Sequence, residues 1–174
     1  MSKETYQKEN KILKKISTLF KVRSYIQRER RIWLTIDKKY LLDMTTFIRN
    51  EGFDHLSSIS VTDLIEKKIY ELSYHVWSYS DSILLTIKTR INRNKPFINS
   101  VTPIWKESAQ IHERELHELF GVEFKDNPDL KPLFLEDWNN TPPFRKDFNW
   151  RNYVEKEHYN KRDDREKIYL EEKS

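Results

Sequence analysis

Residues 68–79 read KIYELSYHVWSY, a run whose side chains alternate in character. Ile69, Glu71, Ser73 and His75 alternate with Tyr70, Leu72, Tyr74 and Val76, with Tyr79 grouped in the second set. Successive strand residues face opposite sides of a sheet, so this period of two predicts a strand with one apolar face. Ser80-Asp81 supplies a turn, and Ile83–Ile91 returns with the same period, which makes the pair a β-hairpin. His75 stands inside the alternation and reads as an ordinary cross-strand residue rather than a ligand.

The flanking chain supplies the rest of an α+β domain. Ile12, Leu13, Ile16, Leu19 and Phe20 recur at helical spacing within residues 4–20. Glu4 and Glu9 among the lysines argue for mature structure there rather than a presequence, since presequences are poor in acids. Residues 31–36 read as a strand. Asp37 then caps a helix from Tyr40 to Ile48 that ends near Gly52, and residues 55–62 read as another strand. Residues 92–95 form a polar loop and 97–101 a short strand or extended entry. Thr102-Pro103 opens a helix, with Thr102 as its cap. The expected architecture is a mostly antiparallel sheet with helices packed on one face, followed by a long extended C-terminal segment. Residues 1–122 form the domain, and 123–174 an extended, Pro- and aromatic-rich, charged arm.

Composition removes several chemistries. With no cysteine among 174 residues, disulfides, thiolate nucleophiles and thiolate-ligated zinc or iron–sulfur clusters are excluded. Apolar runs such as Ile83–Ile87 are strand-sized, so no direct membrane span is expected. Basicity is local: residues 1–31 carry ten Lys/Arg against three Glu, while the whole chain is only +4. A solvated helix face, RNA, anionic lipid and an acidic partner all fit that bias. A single alanine, with abundant Ile, Asn and Lys, points to an AT-rich coding sequence such as an organelle's.

The stretch 111–148 carries the functional signal. On a helical wheel Ala109, Leu116, Leu119 and Phe120 share an arc, His112 falls within it and Glu113 and Glu115 border it. Arg114 and Glu118 lie opposite and are spaced for an exposed i,i+4 pair. Glu113 and Glu115 diverge too far to act on one substrate atom, so ion pairing in a half-buried setting is expected. His112 and His117 are five apart, not four, and cannot share one metal as a zinc-protease pair does. Beyond Gly121, Pro142-Pro143 stiffens the chain before Phe144-Arg145-Lys146-Asp147-Phe148. Two rings bracketing three charges make an anchor for a partner.

Glu113-Arg114-Glu115, Glu118-Leu119-Phe120-Gly121-Val122, Asn127-Pro128-Asp129-Leu130 and Pro143-Phe144-Arg145-Lys146-Asp147-Phe148 together resemble a family signature. The family is the 30-kilodalton subunit of respiratory complex I, called the C subunit in bacteria and NADH dehydrogenase subunit 9 where mitochondria encode it. The sequence departs from the usual pattern at Ile111-His112, Asn127, Thr141-Pro142 and Phe144.

The resemblance implies a non-redox scaffold and assembly subunit of the peripheral arm, in the quinone module of proton-pumping NADH:ubiquinone oxidoreductase. It implies a place on the matrix side of the mitochondrial inner membrane. It also implies no catalytic, cofactor-binding or metal-binding residue in this chain, FMN and iron–sulfur clusters being carried elsewhere in the complex. The partners implied are the large, 49-kilodalton-type quinone-site subunit and neighbouring iron–sulfur subunits. The interface expected from the motifs comprises Glu113, Arg114, Glu115, Phe144, Arg145, Lys146, Asp147 and Phe148. An equivalent subunit of a plastid-type NADH dehydrogenase-like complex or of a hydrogenase complex fits the same residues. An RNA-binding or ribosomal protein is the alternative of another class. Against it, the aromatics of 68–79 share their strand with Glu71 rather than lysine, and no nucleic-acid partner is expected.

Overall fold

The hairpin is the centre of the sheet. In the computed structural model, which describes residues 6–135, 138 and 141–159, β4 (Ile69–Ser78) pairs antiparallel with β5 (Ile83–Asn92). Tyr70, Leu72, Tyr74 and Val76 are fully buried, as the alternation predicts. Tyr79 is not part of that face: the strand stops at Ser78, the turn runs through Ser82 at φ +56°, and Tyr79 is 69% exposed.

Around the hairpin the sheet takes the order β1–β2–β5–β4–β3, with β1 at Arg23–Arg28, β2 at Arg31–Thr35 and β3 at His55–Leu64. Only β2 and β5 run parallel; the other neighbours are antiparallel. Strand β1 is absent from the sequence-based expectation because five of its six residues are exposed and no alternation marks it.

Helices α1 (Gln7–Leu19) and α2 (Leu41–Asn50) bring Ile12, Ile16, Leu41, Met44 and Ile48 into one core with the inner face of the sheet. Before α2 a 3-10 turn spans Lys38–Tyr40, and Asp37 accepts from the Lys39 amide as a cap should. Helix α3 (Thr102–Phe120) packs on β3 and carries the signature motif. Thr102 is its first helical residue rather than its cap, and the Thr102 amide donates instead to Ser100 Oγ at 3.0 Å. The helix breaks at Trp105–Lys106, where Lys106 has φ +38°; the Trp105 indole donates to the Phe53 carbonyl.

After α3 the chain pairs β7 (Glu123–Lys125) in parallel with β6 (Phe97–Asn99) as a separate small sheet. Beyond β7 the described residues form turns and bends rather than the extended run expected, and α4 (Trp150–Val154) follows, passing into a π-helical turn at Glu155–Tyr159. The mixed-charge tail beyond 159 lies outside the described residues. Two buried hydroxyls, Tyr74 Oη and Thr89 Oγ1, have no hydrogen-bond partner among the described residues. An unmade buried hydrogen bond costs rather than contributes, so Tyr74→Phe is expected to leave stability unchanged or raise it by up to about 1 kcal/mol. Urea unfolding checks this; a loss would mean the hydroxyl has a partner.

Candidate docking surface

One face of α3 reads the chain that comes after it. Gln110, Arg114 and Glu118 are spaced four apart and therefore stack along the helix. The Gln110 amide donates to the Asp129 carbonyl. Arg114 donates from Nε to the Lys131 carbonyl (2.9 Å) and from Nη2 to the Pro132 carbonyl (2.8 Å). Glu118 accepts from the amides of Leu133, Phe134 and Leu135. Arg114 and Glu118 thus do not form the exposed pair expected from their spacing. Each is half-buried against backbone groups of 131–135 that would otherwise need water.

Glu113 is fully buried rather than half-buried. Its Oε1 accepts from the Val101 amide and its Oε2 from Asn127 Nδ2, both at 2.7 Å. Burial pushes its carboxyl pKa up, against the opposing pull of hydrogen bonds from Ser100, Val101 and Asn127. Glu115 does not share that setting: its side chain is 41% exposed and lies 3.9 Å from His112 Nδ1. His117 Nδ1 is 2.9 Å from the Val122 carbonyl, which can only accept, so the ring proton sits on Nδ1.

The helix ends on Gly121, whose φ of +74° is left-handed, and the Gly121 amide donates to the His117 carbonyl. A Cβ at this position would lie 3.1 Å from Pro142 Cγ. Gly121→Ala is therefore expected to cost about 1–2 kcal/mol in backbone strain, with crowding of Pro142 in addition. A thermal melt indistinguishable from wild type would contradict this. Just beyond, the Phe144 amide donates to the Leu119 carbonyl, and its ring meets Phe120 edge-on at 5.8 Å. Phe120 in turn packs on Tyr70, whose hydroxyl donates to the Phe120 carbonyl.

The Arg-Lys-Asp triplet docks on its own sheet. Arg93 Nε and Nη2 hold the two oxygens of Asp63 at 2.8 and 3.0 Å. The same guanidinium reaches Asp147 through Nη2 (2.7 Å) and Nη1 (3.1 Å). Arg145 grips Asp147 from the other side at 3.0 and 3.1 Å, and the Lys146 amide donates to Asp63 Oδ2 at 3.0 Å. Two cations and two carboxylates balance. Hydrogen bonds from Arg145 and Arg93 hold the Asp147 carboxyl far below the usual carboxylate range. Burial resists ionisation of Asp63, but Arg93 and the Lys146 amide outweigh it and lower its pKa. Phe148, next in the chain, packs against Trp138 and Tyr153, which also meet each other, in an aromatic cluster.

Of the eight residues expected to form a partner interface, Glu113, Arg114, Phe144, Arg145, Asp147 and Phe148 make contacts within this chain. The side chains of Glu115 and Lys146 remain accessible. Sequence reasoning missed Asp63, Arg93 and Gln110, and noted Asn127 only as a member of the signature, without its bond to Glu113. Asp63 left a trace, a carboxylate ending an otherwise apolar alternation at Leu56, Ile59 and Val61; Arg93 left none in its polar loop.

A hollow of about 710 Å3 opens between Thr102, Lys106, Gln110 and Ile111 on α3 and Asp126 and Pro128. No hydrogen-bonded acid–base pair lies among its lining residues. Among the described residues no group of three or more His, Asp or Glu is placed to hold a metal ion. Among them, too, no helix is long and apolar enough to cross a membrane. The fold and this arrangement define an α+β module whose signature residues fix the path of its own C-terminal segment.

The family model described as respiratory-chain NADH dehydrogenase, 30 Kd subunit, matches residues 34–154. The chain belongs to that family. It is 37% identical over 120 residues to the C subunit of the F(420)H(2) dehydrogenase of Methanosarcina mazei, covering 68% of this chain and 75% of the relative. It is 33% identical over 108 residues to the C/D subunit of the NADH-quinone oxidoreductase of Phocaeicola vulgatus, covering 61% of this chain but 20% of that longer protein. A chain in the structure of the membrane-bound sulfane sulfur reductase, an archaeal respiratory membrane complex, superposes with a TM-score of 0.81 at 26% identity. That match covers 87% of this chain and 92% of the other.

Proposed function

We propose that this chain is a non-redox scaffold subunit in the peripheral arm of a complex I-type oxidoreductase. It holds the large quinone-site subunit and neighbouring iron–sulfur subunits in place, with residues 123–174 as the arm that docks on them and 1–122 as its base. The observation that carries this reading is the use of the signature residues. Glu113, Arg114 and Glu118 bind backbone groups or the Asn127 side chain, with Gln110 beside them on Asp129, and Asp147 binds Arg93 and Arg145; together they hold 127–135 and 144–148 in place and converge on no reacting centre. Fixing a segment in advance lowers the ordering cost of binding, which suits a permanent interface.

The large partner is supported by the Phocaeicola relative, in which the matching part is one fifth of a protein whose name joins C and D. FMN and iron–sulfur clusters belong to other subunits in this reading, because a chain without cysteine offers no thiolate for a cluster. Coupling to proton translocation is a property of the whole assembly.

The electron donor goes with the assembly. NADH is the donor suggested by the family's description, and reduced F420 is a second reading favoured by the Methanosarcina relative. A position on the matrix side of the mitochondrial inner membrane is supported by the family resemblance together with the AT-rich composition, and an AT-rich bacterial or archaeal genome leaves the same compositional trace. The test is affinity capture of the tagged chain from detergent-solubilised source membranes, with mass spectrometry of the proteins that co-purify. Recovery of quinone-site and iron–sulfur subunits with NADH- or F420H2-oxidising activity is expected. A chain recovered alone, or with ribosomal proteins, would overturn the proposal.

A further inference from the structure

All three long helices pack on one face of the five-stranded sheet, and the other face carries a charge pattern of its own. Its cross-strand rows are set by the register. Arg23 lies opposite Thr35, Tyr25 opposite Trp33 and Arg28 opposite Arg31. Arg31 then meets Leu84, Trp33 meets Thr86 and Thr35 meets Lys88. Leu84 meets Trp77, Thr86 meets His75 and Arg90 meets Glu71. Five cations, Arg23, Arg28, Arg31, Lys88 and Arg90, share this face with one carboxylate, Glu71. That imbalance equals the net charge of the whole chain, so the rest of the molecule is neutral while this face is basic.

The charges are unevenly satisfied. Glu71 holds Lys88 at 2.8 Å and Arg90 at 2.9 Å, whereas Arg23, Arg28 and Arg31 have no carboxylate partner among the described residues. Arg28 and Arg31 flank a hollow of about 330 Å3 whose apolar lining is Trp77 and Leu84; Glu29 also lines it, with Arg30 beside it at 3.8 Å offsetting its charge. The pair of guanidinium groups is suited to bidentate carboxylates, and the indole beside them to an apolar neighbour of such a carboxylate.

We propose that this helix-free face, centred on Arg28, Arg31, Trp77 and Leu84, is a docking surface for an acidic segment of a partner protein. The proposal rests on the functional reading that the chain works inside a multi-subunit complex. A protein occupant fits better than a nucleic acid, because base stacking needs an open ring face. Trp33 offers none: Tyr25 stacks on it at 6.2 Å and 14°, and the Lys88 ammonium lies 4.6 Å from its centroid. The occupant lies on the face rather than adding a strand at the edge, since arginines along an edge strand oppose pairing there. The surface is separate from the described part of the C-terminal segment, which contacts α3 and the Asp63–Arg93 corner.

The test is phenylglyoxal modification of arginines, mapped by mass spectrometry, on the isolated full chain and on the membrane complex purified through it. Arg28 and Arg31 are expected to react readily in the isolated chain and at least tenfold more slowly in the complex. The Arg28→Glu/Arg31→Glu variant is expected to leave the complex at a several-fold lower salt concentration than wild type. Equal reactivity in the two samples, with the chain co-purifying normally, overturns the docking surface and leaves the family function standing. Protection removed by nuclease would assign the face to RNA and overturns the proposal as well. Failure of the chain to co-purify with any complex sinks the functional reading itself, which this experiment detects before any arginine is counted.

Discussion

Arg93→Ala is expected to destabilise the chain by about 3–5 kcal/mol and to release residues 142–154 from the sheet. The guanidinium makes four hydrogen bonds to two carboxylates, and both it and Asp63 are almost wholly buried. Removing it leaves the Asp63 carboxylate in the interior with only the Lys146 amide, and breaking a buried pair from one side carries a penalty of that order. Asp147 is 41% exposed and keeps its two bonds to Arg93, so Arg145→Ala is the milder substitution. Urea unfolding of both variants ranks them, and limited trypsin digestion reports whether 142–154 has come free. A smaller loss for Arg93→Ala than for Arg145→Ala would mean that the clasp is held elsewhere.

Glu113→Ala is the second large effect, about 3 kcal/mol. It strands the Val101 amide in the interior, worth roughly 1–3 kcal/mol when unsatisfied, takes the acceptor from the half-buried Asn127 side-chain amide, and opens space beneath α3. Glu113→Gln is not an innocent replacement, because one of its two ends must present a donor to a donor. The expected ranking in a urea series is therefore wild type, then glutamine, then alanine. An alanine variant as stable as wild type would show that water or another acceptor takes over.

The carboxylates also give opposite signs with pH. Asp63 and Asp147 have lowered folded pKa values, so the unfolded chain binds more protons in acid. Their stabilisation is present above the ordinary carboxylate range and is lost as pH falls through their lowered values. Glu113 has a raised folded pKa; its contribution is greatest below the ordinary range and is lost as pH rises through the raised value. Acid unfolding should accordingly be shallower in Asp147→Asn than in wild type, measured by fluorescence between neutral pH and about pH 2. A steeper acid limb in the variant would contradict the assignment.

The sheet was legible where burial imposes alternation. Residues 69–76 and 83–91 have one face in the core, and that constraint is written into every second side chain. Strand β1 was not legible, because it is tied to β2 through backbone and the Tyr25–Trp33 stack, leaving no apolar period. The helix motif was legible as amphipathic, but its polar face was read as solvent-facing. Arg114 and Glu118 face backbone groups 17 residues further on, and a wheel gives direction without saying what lies there. The clasp is further from reach: Arg93 meets Asp63 and Asp147 across 30 and 54 residues, and no local pattern joins the three. The resemblance marked Asp147 through its motif, whereas Arg93 and Asp63 emerged only from the folded chain.

The scaffold role is tested most directly by separating the amount of enzyme from its turnover. In membranes carrying the Arg93→Ala chain, donor-dependent quinone reduction is divided by the quantity of assembled complex on blue-native gels. Assembly is expected to fall several-fold while the rate per assembled complex stays at the wild-type value. Normal assembly with a reduced rate per complex would place this chain in the chemistry itself and contradict the account.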